Sequence, residues 1–230
     1  MAGVIAGLGF LAAMPYVYYL TRVAFGQAMR QRLAPRSVEE MLRADLVLMG
    51  LAVAITALAG TFLAERYGLP GLGDLRRLRR ALPVLVPGGV LLSASTYLGF
   101  GRHLARRVPG YYPASLGWAA MLMVKGALFD ETVARYGGMT ILCGAVRRPW
   151  IANLMQAAFF TIVTARSVGF YGLSFGWSVA AAASLGSSAV VHLALGLAYA
   201  RTGLLGAALL HLVIDLKYVA HALLAVARPE

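Results

Sequence analysis

The sequence contains few charged residues and almost no cysteine. Only 13% of its 230 residues are Asp, Glu, Lys or Arg, whereas soluble domains carry about 25%. The single cysteine, Cys143, excludes an intramolecular disulfide and a zinc site built from several cysteines. Because its neighbours are apolar, Cys143 is better interpreted as a buried, inert thiol than as a nucleophile.

Several familiar patterns are also missing. The sequence has no glycine-rich phosphate loop, no heptad array and no internal repeat. Its formal net charge is +12, but the basic residues lie in short loops between apolar runs. That pattern indicates contacts with anionic lipid head groups rather than with nucleic acid. The arginines of these loops are Arg30, Arg32 and Arg36; Arg66, Arg76, Arg77, Arg79 and Arg80; Arg102, Arg106 and Arg107; and Arg147 and Arg148.

Hydrophobic runs dominate the rest of the chain, which is 60% hydrophobic. A helix of about 20 apolar residues crosses the roughly 30 Å of membrane hydrocarbon. The sequence therefore predicts an all-α, polytopic bundle of seven to eight membrane helices, with residues 1–230 forming a single integral membrane domain. The count depends on whether 114–146 is one helix or two pieces broken near Gly137 and Gly138. The apolar runs are 3–25, 46–63, 82–101, 114–129, 139–146, 150–164, 176–200 and 204–226.

The first run is predicted to be a retained helix, because no Lys or Arg precedes it as in a signal peptide. We expect a multi-pass protein of a bacterial inner (cytoplasmic) membrane. Alternate loops carry nearly equal positive charge, so the excess of Lys and Arg in cytoplasmic loops does not decide the orientation. The sequence does not give the oligomeric state.

Two clusters of ionisable residues stand within or beside apolar runs. Asp130, Glu131 and Arg135 follow the fourth run, and His211 and Asp215 lie inside the last. A charge at the bilayer centre costs from roughly 3 to over 10 kcal/mol, so such residues usually face a bundle interior and mark a functional site. These two clusters are the candidate site.

Helical geometry places two histidines at a similar depth. His192 lies ten residues before Thr202, and His211 lies nine after it. At about 1.5 Å per residue, both are about 15 Å from the turn near Gly203. His211 and Asp215 are four residues apart and share a helix face. The His211–Asp215 pair either has a chemical function at the site or forms a hydrogen bond that only stabilises the bundle.

Asp130 and Glu131 are adjacent, so their side chains point about 100° apart on a helix. One carboxylate should carry chemistry as a general base that activates water. The other should act as a brace, since Arg135 lies four residues after Glu131 on the same face. The alternative is a Glu131–Arg135 pair that only neutralises its own charge at a helix end.

These residues resemble the motifs of the CPBP family of intramembrane proteases, which includes type II CAAX prenyl proteases and bacterial Abi proteins. That family carries E-E-x-x-x-R, F-x-x-x-H and H-x-x-x-N or H-x-x-x-D on successive helices. This chain has Asp130-Glu131-x-x-x-Arg135 and His211-x-x-x-Asp215, and the run 196–203 is similar to the family's approach to the third motif. The resemblance covers 114–220, the predicted CPBP-like core.

The resemblance implies a metal-free and cofactor-free peptidase that acts on a membrane-anchored or otherwise hydrophobic protein or peptide. It assigns Asp130 as the base, Glu131 with Arg135 as the brace, and His211 with Asp215 as the oxyanion site. The chain departs from the pattern twice. Asp130 stands in place of a Glu, and F-x-x-x-H aligns with Phe160 and Thr164, or one residue earlier, without an imidazole.

His192 is the candidate to replace the missing histidine, since His103 and His221 lie near helix ends. A zinc site of His192, His211, Asp215 and Asp130 has suitable ligand types, but it ranks below the metal-free mechanism.

The sequence supports three candidate functions, in decreasing order of preference. The first is a peptidase, the second is a pseudoprotease that binds or escorts a membrane partner, and the third is a transporter. The transporter ranks last because no inverted repeat and no paired broken helices are visible.

Overall fold

The computed structural model describes residues 1–19, 35–102, 105, 112–170 and 179–226. This part of the chain is almost entirely helical and contains no β-strand, as the all-α prediction requires. The α-helices, in chain order, are α1 (Ala2–Tyr19), α2 (Pro35–Leu63), α3 (Leu75–Thr96), α4 (Leu116–Lys125), α5 (Thr140–Val146), α6 (Pro149–Phe170), α7 (Val179–Thr202), α8 (Leu204–Ile214) and α9 (Leu216–Val226).

Three stretches adopt the wider π-helical geometry: π1 (Tyr97–Gly101), π2 (Gly126–Asp130) and π3 (Thr132–Met139). The last two join α4 to α5, so the chain remains helical from Leu116 to Val146 and is not broken at Gly137 and Gly138. Glu131 is the single residue between π2 and π3. π-helical turns are rare and frequently occur at functional sites.

Among the described residues, five helices are long and apolar enough to cross a membrane. They are Ala2–Tyr19, Leu42–Leu63, Leu75–Gly101, Ala183–Thr202 and Leu204–Ala225. A shorter apolar helix covers Pro149–Ala165. The chain is therefore a multi-pass membrane protein, while the count of seven to eight spans stays a prediction. The predicted runs 3–25 and 176–200 extend partly beyond the described residues.

Polar contacts between buried tyrosines and threonines fix π3 against its neighbours. Tyr136 and Tyr199 are completely buried. Their hydroxyls lie 3.0 Å from the Thr61 hydroxyl and 3.1 Å from the Thr140 hydroxyl, respectively. Hydrogen bonds of this kind hold membrane helices together where lipid supplies no hydrophobic driving force. The first contact ties π3 to α2, and the second ties α5, which directly follows π3, to α7.

The turn between α7 and α8 is held by the loop that follows α2. Gly203 has a φ of 78° and Gly73 a φ of 85°, in the left-handed region that suits glycine. The amides of Leu204 and Leu205 donate to the carbonyls of Gly71 and Leu72 at 3.0 and 3.1 Å. These bonds fix the depth at which α7 and α8 present their side chains.

Candidate active site

Glu131 lies at the centre of the candidate site. Its Oε1 accepts a hydrogen bond from Nη1 of Arg135 at 3.2 Å and lies 2.6 Å from Nδ1 of His211. The Glu131 and Arg135 side chains are 0% and 1% exposed. A carboxylate oxygen only accepts hydrogen bonds, so Nδ1 of His211 is the donor in the second contact. The predicted pairing of Glu131 with Arg135 is present, and His211 joins the same oxygen.

Arg135 continues the network to His192 on α7. Its Nη2 lies 2.7 Å from Nδ1 of His192 and donates to the His192 carbonyl at 3.2 Å. Because a guanidinium has no acceptor, Nδ1 of His192 must accept, which leaves the ring proton on Nε2. The ring of Phe160 stacks on His192, with centroids 5.0 Å apart. His192 therefore supports Arg135 and does not touch Glu131 in this structure.

Thr164, which aligns with the missing histidine, lies one helical turn after Phe160. Its hydroxyl donates to the Phe160 carbonyl at 2.8 Å and lies 3.1 Å from the Ser188 hydroxyl. Phe160 also lies against Arg135, whose Cζ is 5.6 Å from the ring centroid. Phe160 thus faces the site, whereas the Thr164 hydroxyl contacts Ser188 on α7 and not the site residues.

On the other side of Glu131, the network continues to Asp215 and Lys217. Nε2 of His211 lies 3.4 Å from Oδ2 of Asp215, and Nζ of Lys217 lies 2.7 Å from Oδ1 of Asp215. Residues two apart do not face each other on an α-helix. Here α8 ends at Ile214 and α9 begins at Leu216, while Asp215 has φ −82° and ψ 0°. This break allows Lys217 to turn back to Asp215.

Asp130 points away from these residues. Both of its carboxylate oxygens lie 2.8 Å from Nζ of Lys125, and its side chain is 33% exposed. The Lys125 ammonium lies 4.3 Å from the centroid of the Tyr16 ring on α1. The described contacts of Asp130 include neither His192 nor His211, so it flanks the site as half of a Lys125–Asp130 pair.

Two buried atoms at the centre have no hydrogen-bond partner among the described residues: Oε2 of Glu131 and Nε of Arg135. Leaving a buried polar group unsatisfied costs about 1–3 kcal/mol, and more for a charged group. A water molecule or a polar atom of a ligand is the kind of partner that such an oxygen requires. Glu131 therefore has one oxygen held by Arg135 and His211 and the other available for chemistry.

The backbone of π2 forms a wall against the His211–Asp215 pair. A Cβ added to Gly126 would lie 2.8 Å from Nε2 of His211 and 2.8 Å from Oδ2 of Asp215. Contacts that short do not occur between real Cβ atoms and their neighbours. Only glycine lets π2 approach this closely, so Gly126 positions the pair.

We expect Gly126→Ala to displace His211 and Asp215, because both have an atom 2.8 Å from the position that the added Cβ would occupy. The matched control is Gly99→Ala in π1, where an added Cβ meets nothing within 4 Å. Both changes place alanine in a π-helical turn. The measurement is the set of histidine ¹⁵N resonances, which Gly126→Ala alone should shift. Unchanged histidine resonances in Gly126→Ala would contradict this role.

The structure thus brings together Glu131, Arg135, His192, His211 and Asp215 and leaves Asp130 at the edge. The site residues predicted from the sequence did not include Lys125, Lys217 or Gly126. A signal was available for the lysines, since the chain has only two and both lie in or beside apolar runs.

No grouping of three or more His, Cys, Asp or Glu residues suited to a metal occurs in the described ranges. Asp130 bonds to Lys125 and His192 to Arg135, so the zinc set is not assembled.

Comparison with protein-family models, with curated proteins and with solved structures finds no match to this chain. The CPBP resemblance therefore depends on the spacing of its motifs, and the function is argued from the site.

Proposed function

We propose that the chain is an intramembrane peptidase of CPBP type that cleaves a membrane-anchored or otherwise hydrophobic protein by carboxylate-activated water. The observation that carries this proposal is the environment of Glu131. One of its oxygens is held by Arg135 and His211, and the other is buried without a protein partner. A positioned carboxylate with a free oxygen is suited to take a proton from water.

In this proposal Glu131, rather than Asp130, acts as the general base. Asp130 is bonded to Lys125 and partly exposed, whereas Glu131 is fully buried and contacts Arg135 and His211. Arg135 places its positive charge against Glu131, and His192 and Phe160 hold Arg135 in place. His211 donates to Oε1 of Glu131 and so orients Oε2 toward the water.

The chemical step balances without a cofactor. Oε2 of Glu131 accepts a proton from water as the water oxygen bonds to the peptide carbonyl carbon, and the carbonyl electrons move to its oxygen. When those electrons return, the carbon–nitrogen bond breaks. The amine leaves with the proton from Glu131, which becomes ionised again. The products are a carboxylic acid and an amine.

The charges of the site favour an uncharged reacting group. Among its lysine, arginine and carboxylate side chains, three cations are balanced by three anions. A peptide carbonyl suits such a site, whereas an ion pathway generally presents an excess of one sign to the ion. The charged side chains are Lys125, Arg135 and Lys217, and Asp130, Glu131 and Asp215.

The same proposal includes seven membrane spans and a bacterial inner membrane. Leu116–Val146 and Pro149–Phe170 are continuous helices, and each is long enough to cross at 1.5 Å per residue. Added to the five apolar spans, they give seven. The polar residues of π2 and π3 lower the hydropathy of the first of these helices without ending it.

Anionic lipid head groups are the proposed partner of the arginine-rich loops. The described arginines near the α7–α8 turn and the loop after α2 are exposed, and each contributes about 1 kcal/mol of attraction near an anionic surface. Arg30, Arg32, Arg106 and Arg107 lie outside the described residues, and the side chain of Arg36 is not described. The exposed arginines at this end are Arg66, Arg76, Arg77, Arg79, Arg80, Arg147, Arg148 and Arg201.

The alternative function is a pseudoprotease that binds or escorts a membrane protein without cutting it. The observation that favours it is the second motif, where Thr164 replaces a base and His192 is occupied by Arg135. In that case the network would only stabilise a binding groove.

The experiment that separates the two uses protein reconstituted in liposomes with a panel of membrane-anchored peptides. Cleavage by the wild type and by Asp130→Asn, with loss in His211→Ala, supports the peptidase. Binding of a peptide without cleavage by the wild type supports the pseudoprotease.

A further inference from the structure

Asp215 is a poor group to stabilise an oxyanion. An ionised carboxylate has no hydrogen-bond donor, and its charge repels the negative oxygen that forms during peptide hydrolysis. The resemblance nevertheless assigns Asp215 to that role. The structure places a cation directly beside it, because Nζ of Lys217 lies 2.7 Å from Oδ1 of Asp215.

Lys217 reaches this position through the break between α8 and α9. Its only other described hydrogen bond is a long one of 3.4 Å to the carbonyl of Ile214. The Lys217 side chain is 14% exposed, so it is largely withdrawn from the surface. An ammonium group has three N–H donors, and the weak bond to Ile214 is easily exchanged. Lys217 can therefore donate to a substrate oxygen while Asp215 holds it.

We propose that Lys217 is a further catalytic residue, and that its ammonium donates to the oxyanion of the tetrahedral intermediate while Asp215 holds it in place. This inference rests on the proposed peptidase function. The negative charge appears when the water oxygen bonds to the carbonyl carbon, and it disappears when the amine leaves. Lys217 keeps its proton throughout, since the proton of the water travels through Glu131 to the amine.

The pair of contacts on Asp215 explains why a carboxylate suits this position. Oδ1 faces Lys217 and Oδ2 faces Nε2 of His211 at 3.4 Å. Asp215 thus fixes the ammonium relative to the residue that orients Glu131. The base and the oxyanion donor are held in one network of contacts, as a preorganised site requires.

The test compares Lys217→Met, Lys217→Gln and Lys217→Arg in liposomes, with Lys125→Met as the matched control. Lys125 is the other lysine of the chain, and it too is paired with an aspartate. Removal of one oxyanion donor costs about 10²- to 10³-fold in kcat. We expect that loss in Lys217→Met and Lys217→Gln with KM nearly unchanged, partial recovery in Lys217→Arg, and less than about tenfold change in Lys125→Met.

Binding of a phosphonate peptide, whose charged oxygens mimic the oxyanion, gives a second readout. Lys217→Gln should bind it about 100-fold more weakly than the wild type, while binding an uncleaved peptide equally well. Gln can still donate to Asp215, so this variant is suited to retain the fold. Equal kcat and equal phosphonate binding in wild type and Lys217→Gln would overturn the role of Lys217 and leave the peptidase standing. No cleavage by the wild type would overturn both.

Discussion

Replacing Glu131 with Gln should lower the free energy of unfolding by about 3–5 kcal/mol, the usual cost of removing one partner of a buried ion pair. Glu131 and Arg135 are both almost completely buried. In the variant, the guanidinium charge stays buried without its carboxylate. Unfolding in mixed micelles, followed by tryptophan fluorescence, measures the change.

The matched control for this prediction is Asp130→Asn, one residue away. The Lys125–Asp130 pair is less buried than the Glu131–Arg135 pair, with side chains 16% and 33% exposed, so Asp130→Asn should lower the free energy of unfolding by less than Glu131→Gln does. The double variant Glu131→Gln with Arg135→Met removes both buried charges and should recover most of the lost stability. Equal losses in Glu131→Gln and Asp130→Asn would contradict the central position of Glu131.

Substitutions of His211 should separate the contributions of its two ring nitrogens to cleavage. The amide nitrogen of Asn can occupy the position of Nδ1, which lies 2.6 Å from Oε1 of Glu131. The longer Gln side chain places its amide near Nε2 instead. In the proposed mechanism His211 acts by orienting Glu131, so His211→Gln should lose about 100-fold or more in kcat, and His211→Asn should lose about tenfold or less.

Rates of peptide cleavage in liposomes, with the folded fraction measured for each variant, test this order. Both variants remove the imidazole, so a general loss of packing would affect them equally. The opposite order, with His211→Gln more active than His211→Asn, would show that Nε2 is the nitrogen needed for cleavage. It would contradict the proposal that His211 acts by orienting Glu131.

Regular helical spacing accounts for the parts of the site that the sequence could predict. The four-residue step from Glu131 to Arg135 and the matched positions of His192 and His211 around one turn are properties of ordinary α-helices. The structure contains both arrangements, with the two histidines linked through Arg135 and Glu131.

Departures from that spacing account for what the sequence could not predict. The orientation of Asp130 toward Lys125, five residues away, depends on the wide turn of π2. Similarly, the contact of Lys217 with Asp215 depends on a one-residue break that leaves most of the apolar pattern of 204–226 intact. Neither feature changes hydrophobicity, which is the main signal available in a membrane sequence.

The number of spans was difficult to predict for a related reason. The helix from Leu116 to Val146 carries Lys125, Asp130, Glu131 and Arg135. These charged residues interrupt its apolar run, but its backbone stays helical. Hydropathy measures the cost of placing side chains in lipid, but these side chains contact one another inside the bundle. The helix can therefore cross the membrane in the proposed way despite its charges.

The most direct test of the central claim is cleavage of a membrane-anchored peptide in H₂¹⁸O by wild type, Asp130→Asn and Glu131→Gln in liposomes, read by mass spectrometry. Assays at a temperature where Glu131→Gln remains folded separate chemistry from stability. We expect wild type and Asp130→Asn to release a product with one ¹⁸O in its new carboxyl group, and Glu131→Gln to be slower by about 10²- to 10⁴-fold. Loss of cleavage in Asp130→Asn with activity retained in Glu131→Gln, or no cleavage by the wild type, would contradict the assignment of Glu131 as the base.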